Sequence, residues 1–380
     1  MSDTTTPDTT IPDTTILPEG QSLWGISYTP VGCDHCHHTY LTPLEAKSRK
    51  CPSCIKGTLQ SQPASLRPEP PESMLPFAKF TPDLQGIYSN FVKPVWLAPD
   101  DFKPEILLSR SLPIFWPMWL VDCTVTGSWQ AEMGFNYQVK SSKEYYSGNA
   151  WESRDIVEER TNYEPRLGTL QHQYDNISIP ALARHNERMQ QLGSYPFKGA
   201  IGFAANLVGA AHIELPDLIP EEVWDQAEIQ LKKAAGSDCR EACGAQHVRN
   251  FCLQGQFTQL NWTQFLLPMY ASWYMDDEGL PHSVLVNGQT GQIFGERLAS
   301  QKKGNRAAGI IAAGAVGLFL LAATAFLIGM VLPPIQPFTA LLALIGFLTA
   351  LAALVPLIWP WQWNRKIIDR KVYQSSSPKD

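Results

Sequence analysis

Four cysteines near the N-terminus carry the clearest chemistry in the chain. Cys33 and Cys36 form one Cys-x-x-Cys turn, and Cys51 and Cys54 form a second after 14 intervening residues. A two-residue spacer lets one tight turn aim both sulfurs at a single ion, and two such turns close a tetrahedral thiolate shell of the kind that zinc fills. Four thiolates leave no open coordination position, so the expected cofactor is one structural Zn2+ held by Cys33, Cys36, Cys51 and Cys54. In a segment this small the metal supplies much of the folding free energy. A redox pair is the rival reading of such a turn. Two of them at ribbon spacing, without a βαβ pattern around them, argue against it. His35, His37 and His38 crowd the first turn and read as exposed polar loop residues.

A second group is looser. Cys239, Cys243 and His247 recur every four residues, and Cys252 comes soon after. On one continuous helix the first three would line a stripe, and two thiolates with an imidazole could bind zinc or copper or sense oxidants. Gly236, Ser237 and Gly244 interrupt that helix, and buried cysteine is a common small hydrophobe, so core packing is the plainer reading. There is no Gly-x-Ser-x-Gly elbow, phosphate-cradling glycine loop or His-Glu-x-x-His helix. The carboxylates Glu152, Asp155, Glu158, Glu159 and Glu164 alternate with Arg154, Arg160 and Arg166, which reads as a solvated strand or loop face. No catalytic residue is assigned, and the chain is read as non-enzymatic.

The elements that must position these residues emerge from composition shifts. The chain has 380 residues, 8 cysteines and a formal charge of −6. A mildly acidic chain has no global attraction for phosphate backbones, so nucleic acid would need a local patch such as Lys47, Arg49, Lys50 and Lys56 in the ribbon. Residues 1–20 repeat Pro-Asp-Thr-Thr at Pro7–Thr10 and Pro12–Thr15 and read as a disordered tail without a signal-peptide core. Residues 21–60 are the zinc ribbon. Residues 61–75 are a proline-rich linker expected to hold the ribbon away from the next domain.

Residues 76–300 read as a mostly antiparallel, β-rich soluble domain. Apolar runs at Leu112–Trp129, Phe135–Val139, Val284–Val286 and Gln292–Phe294 suit strands, with a hairpin turn at Asn287-Gly288-Gln289-Thr290-Gly291. Glu221–Ala235 is the best helix, with Val223, Trp224, Ala227 and Leu231 on one face. Leu112-Pro113 with Trp119-Leu120-Asp122 is echoed by Leu267-Pro268 with Trp273-Tyr274-Asp276, which suggests two similar sheet halves. The fold class is therefore α+β.

Residues 301–371 have the composition of a membrane anchor. No Asp, Glu, Lys or Arg occurs between Arg306 and Arg365. Two apolar runs there are each long enough to cross a hydrocarbon core of roughly 30 Å. Basic residues flank both (Lys302, Lys303 and Arg306; Arg365, Lys366, Arg370 and Lys371), and the Pro-Pro-Ile-Gln-Pro-Phe connection is uncharged. The positive-inside rule then places both termini in the cytoplasm, with a two-span hairpin in the cell inner membrane and a short tail at 372–380. Trp359, Trp361 and Trp363 suit the interfacial aromatic belt. The small pairs Ala313/Gly317 and Gly346/Ala350 could pack the hairpin or build a homo-oligomer.

The ribbon resembles those of transcription factors and of replication-restart helicases, on its four cysteines with Pro52 and Gly57. The whole arrangement resembles a bacterial group that joins a zinc ribbon, a β-rich domain and a C-terminal membrane anchor. The residues that carry this likeness are the quartet, Phe115–Asp122, Glu164–Gly168 and Leu285–Ile293. That resemblance implies an architecture and no activity. The expected role is an adaptor that recruits a cytoplasmic protein partner to the bilayer. The alternative is a membrane-tethered regulator that reads nucleic acid through the ribbon, or metal or redox state through Cys239, Cys243, His247 and Cys252.

Overall fold

The computed structural model describes residues 15–16, 22–44, 46, 49–63, 65–66, 69–148, 150–330 and 336–376. The expected tail at 1–20 falls outside them except for 15–16, as do Lys47, residues 331–335 of the apolar connection and 377–380.

Short strands β1 (Thr15–Ile16) and β2 (Ser22–Leu23) lead into the ribbon. Its strands are β3 (Ile26–Cys33), β4 (Thr39–Pro43) and β5 (Leu59–Ser61), with β3 antiparallel to both others. Then come β6 (Ser65–Leu66), which pairs with β1, and β7 (Ser73–Met74). The expected spacer between ribbon and domain is instead built into the fold. β7 joins the main sheet beside residues 265–266, and Met74 and Leu75 are fully buried. The ribbon is not held apart either. β4 is bonded to a later strand at Glu214↔Tyr40, so the ribbon strands extend a sheet of 12 strands.

Helices α1 (Thr81–Val92) and α2 (Pro104–Ser109) precede the three longest strands. These are β8 (Leu112–Ser147), β9 (Ala150–Pro180) and, later, β12 (His247–Met275), with β8 in the middle. Between them lie α3 (His185–Leu192), a 3-10 turn at Phe197–Gly199, β10 (Ile201–Gly202), α4 (Ala205–Val208), β11 (His212–Glu214) and α5 (Trp224–Ala242). β13 (Pro281–Asn287) and β14 (Ile293–Gly295) close the sheet. The Asn287 turn joins them as the sequence suggests, with its Oδ1 accepting from the Gln289 and Thr290 amides at 2.9 and 3.0 Å.

β8 changes character along its length. Residues 114–121 are buried on both faces, because helices and the ribbon cover the sheet there. Above Asp122 the burial alternates: Cys123, Val125, Trp129, Ala131 and Met133 pack with Leu231, Ala235 and Cys239 of α5, while Thr126, Ser128 and Gln130 face outward. β12 begins opposite Gly134, so residues 135–147 pair with β9 alone and project roughly 45 Å further at about 3.4 Å per residue. We call residues 112–121 with their surroundings the base and the rest the arm. Two bulges flank the boundary: β9 carries an extra residue opposite Asp122 and β12 one between Thr258 and Asn261. Asp122 bridges both, accepting from the Asn176 amide at 2.7 Å and from Asn261 Nδ2 at 3.4 Å. The echoed Leu-Pro segments are therefore antiparallel neighbours (Leu267↔Trp116) and not two sheet halves.

The chain ends in α6 (Gln301–Gly329), α7 (Gln336–Ala352) and α8 (Leu354–Ser376). Two helices, Gln301–Gly329 and Gln336–Ile367, are long and apolar enough to cross a membrane, and their apolar side chains are mostly exposed. The buried positions of these helices are mostly small, with heptad spacing from Ala308 on: Gly304, Ala308, Ala315, Ala322 and Gly329 on α6, and Gly346, Ala353, Pro356 and Pro360 after it. Small residues let the backbones approach, and a Cβ on Gly304 would lie 2.4 Å from the Pro356 carbonyl. Gly346 is one of these buried positions, as its spacing suggests, whereas Ala313 faces outward and a Cβ on Gly317 would meet nothing.

Candidate metal centre

The ribbon brings Cys33, Cys36, Cys51 and Cys54 together. Their sulfurs all lie within 4.8 Å of one another, with Cys33–Cys54 and Cys36–Cys51 both at 3.6 Å. A tetrahedral shell with bonds of about 2.3 Å places sulfurs roughly 3.8 Å apart, so the cage fits a thiophilic ion. The turns build it by aiming backbone N–H groups at sulfur. The His35 and Cys36 amides point at Cys33 Sγ (3.4 and 3.5 Å), and the Gly57 amide points at Cys54 Sγ (3.4 Å). Gly57 is required by close approach, because a Cβ there would sit 2.4 Å from Cys33 Sγ. Asp34 ties the two turns, accepting from the Thr58 amide at 2.8 Å and its hydroxyl at 2.6 Å.

Burial pushes Cys36 up to about 11 and Cys51 higher still. Burial also works to raise Cys54, but the Gly57 and Lys56 amides and the neighbouring thiols outweigh it and hold Cys54 low. A bound cation would settle all four as thiolates and leave no position for substrate. His35 and His37 are exposed, and half-buried His38 turns its Nδ1 to the Cys36 carbonyl at 3.1 Å. Lys50 lies over the Trp273 ring at 5.2 Å, while Arg49 and Lys56 are exposed.

The second cysteine group does not converge. Gly244, at φ 66°, ends α5: its amide reaches Glu241 O and the Ala245 amide reaches Arg240 O. His247 therefore starts β12 and is exposed. Cys239 is buried against the sheet, and burial raises its thiol to about 11. Cys252 is exposed opposite Gln130, on the other sheet face from buried Leu253 and Trp129. Among the described residues the quartet is the one His/Cys/Asp/Glu group placed to hold an ion.

Sequence reasoning missed a buried ionic contact behind the metal cage. Arg188 on α3 forks onto Glu214 of β11; their side chains are 8% and 1% exposed. Glu214 pairs in register with Tyr40, which packs with Cys33 and Cys51. On the far side Arg188 lies 5.4 Å from the Trp116 ring. The pair is 26 residues apart on different elements, so no spacing rule could have found it. His185 and His212 are buried nearby in the base, and burial lowers both to about 4. At the end of the sheet beside α6, His282 is clamped between Glu296 (3.0 Å) and Asp276 (2.9 Å), and these carboxylates raise it despite its burial.

Comparison of the chain with protein-family models, with curated proteins and with solved structures finds no match in any of the three. The resemblance to ribbon-bearing bacterial proteins therefore rests on its motifs.

Proposed function

We propose that this protein is a non-enzymatic, membrane-anchored zinc-ribbon adaptor that recruits a cytoplasmic protein to the inner membrane face. The observation that carries the reading is the arm. It is rooted in the buried base, it leaves β8 and β12 at the His247 end whereas α6 attaches beyond the Met275 end through Asp277, and it exposes Tyr145, Tyr146 and Trp151 at its tip (42%, 60% and 71%). A closed four-sulfur cage supports a structural zinc ion that stiffens the base. Aromatic side chains supply large contact area at low entropic cost, which suits a recognition tip. The basic flanks of α6 and α8 support cytoplasmic termini.

The test is cross-linking and capture from membranes with wild-type chain and a Tyr146→Ala/Trp151→Ala variant. The expected result is a defined partner captured by the wild type and lost from the variant, with zinc content unchanged. Equal capture by both would remove the arm from the account, and absence of any stoichiometric partner would remove the adaptor reading.

A further inference from the structure

The soluble head carries one exposed tryptophan at the height where its own helices enter the bilayer. The loop from Lys93 to Lys103 joins α1 to α2 and is fastened to both membrane helices. The Ser300 amide donates to the Leu97 carbonyl at 2.6 Å, and Asp100 holds Lys303 at 2.9 Å. Val95 and Phe102 pack in one cluster with Trp359 and Trp363. Trp96 itself lies edge-on to Trp359, with ring centroids 5.6 Å apart, yet remains 57% exposed.

The helices fix the height of that ring. Trp359 ends the apolar run of α8, shortly before Arg365, and Gly304 at the start of α6 abuts Pro356 and Pro360. Trp359 is thus level with Lys302, Lys303 and Arg306, where the apolar surface of the hairpin gives way to cations. A residue within one ring diameter of it shares that level. Indoles partition to this layer because one edge is apolar and the N–H seeks a polar partner. Lys93 and Lys103, both exposed, bracket the loop, and its carboxylates are occupied: Asp100 by Lys303 and Asp101 by Arg110 at 2.5 Å. Asp100, 82% exposed in its pair with Lys303, and Glu105 also face solvent here, but Lys93, Lys103, Lys302, Lys303 and Arg306 outnumber them, so the surface around Trp96 carries an excess of cations, complementary to anionic lipid.

We infer that Trp96 is the head's own contact with the bilayer, its indole seated among the headgroups beside α8 and its flanking lysines facing lipid phosphate. This rests on the reading that α6 and α8 cross a membrane, and it goes further: the head is docked on the lipid surface and not merely tethered to it.

The test uses the full chain in phosphatidylcholine vesicles containing phosphatidylglycerol. Photoreactive benzoylphenylalanine is placed singly at Trp96, at Phe319 in mid-α6 and at Trp151 on the arm tip, and lipid adducts are read by mass spectrometry. Adducts at 319 and 96 with none at 151 are expected. Adducts at 319 without any at 96 overturn the inference while leaving the membrane anchor standing. No adduct at 319 overturns the anchor and the inference together. A Lys93→Glu/Lys103→Glu variant is expected to cut the yield at 96 several-fold, and an unchanged yield overturns the role given to the lysines.

Discussion

The base and the arm share three strands but solve different problems. In the base both faces of β8 are covered, so a buried polar group is satisfied inside the protein or not at all: Arg188 finds Glu214, whereas His185 Nδ1, both ring nitrogens of His212 and Gln264 Nε2 find no partner among the described residues. On the arm one face meets water, then both do, and charges such as Arg160–Glu158 and Arg166–Glu164 sit on the open edge at little cost or gain. The two cysteine groups obey the same division. The quartet lies on turns welded to the base, where four sulfurs can face one point. The other group straddles an arm whose alternate residues point to opposite faces, and it cannot gather.

The largest test of that contrast is metal loss. Cys51→Ser is expected to take the chain from one zinc to none and to destabilise the base by on the order of 5 kcal/mol or more. Elemental analysis with thermal unfolding checks it, and a zinc-free but equally stable variant would sever the link between cage and base. Arg188→Ala leaves Glu214 buried and alone, at a cost of about 3–5 kcal/mol. The Arg188→Met/Glu214→Gln pair should recover much of that in denaturant titrations.

Acid is the next probe. His185 and His212 are held near 4 in the folded state against about 6.5 unfolded, so the unfolded chain binds the proton first. Their contribution is complete above about 6.5 and falls as pH drops toward 4, by roughly 3 kcal/mol each. His282 runs the other way: its folded value is raised, so its contribution is present below about 6.5 and is lost as pH rises through the folded value. Unfolding midpoints of His212→Phe and His282→Phe across pH 4–8 separate the two slopes. A flat profile in the wild type would remove all three histidines from the account.

The arm should tolerate more. Cys239→Ser puts a hydroxyl in an apolar cluster and is expected to cost about 1–2 kcal/mol without changing zinc content. Cys252→Ser is expected to stay within about 0.5 kcal/mol. Cys252 should also react first with a thiol reagent, and loss of a second metal on mutating either residue would contradict the divergent geometry.

Local signals were legible in the sequence and long-range ones were not. Each Cys-x-x-Cys turn, the apolar helices and the Val223–Trp224–Ala227–Leu231 face of the helix that became α5 depend on neighbours close in the chain. Strand type was readable, but strand length was not, because Gly134 looks like punctuation between the runs Leu112–Trp129 and Phe135–Val139. In the fold Gly127 opposes Gly255, and a Cβ there would lie 2.4 Å from the Gly255 Cα, so glycine marks a close crossing and not an end. The prolines before Ser73 concealed that Met74 and Leu75 enter the core. Nothing local links Arg188 with Glu214, or Trp96 with Trp359.

Asp122 bears on how the long strands find their alignment. Strands of this length present a ladder of near-identical rungs, and sliding one past another by a single rung would turn the greasy side of the whole arm toward water. A carboxylate gripping a kink on each neighbouring strand works as an index pin: it fits at one alignment only, so the three strands are indexed at a single point and mispaired forms lose two grips at once.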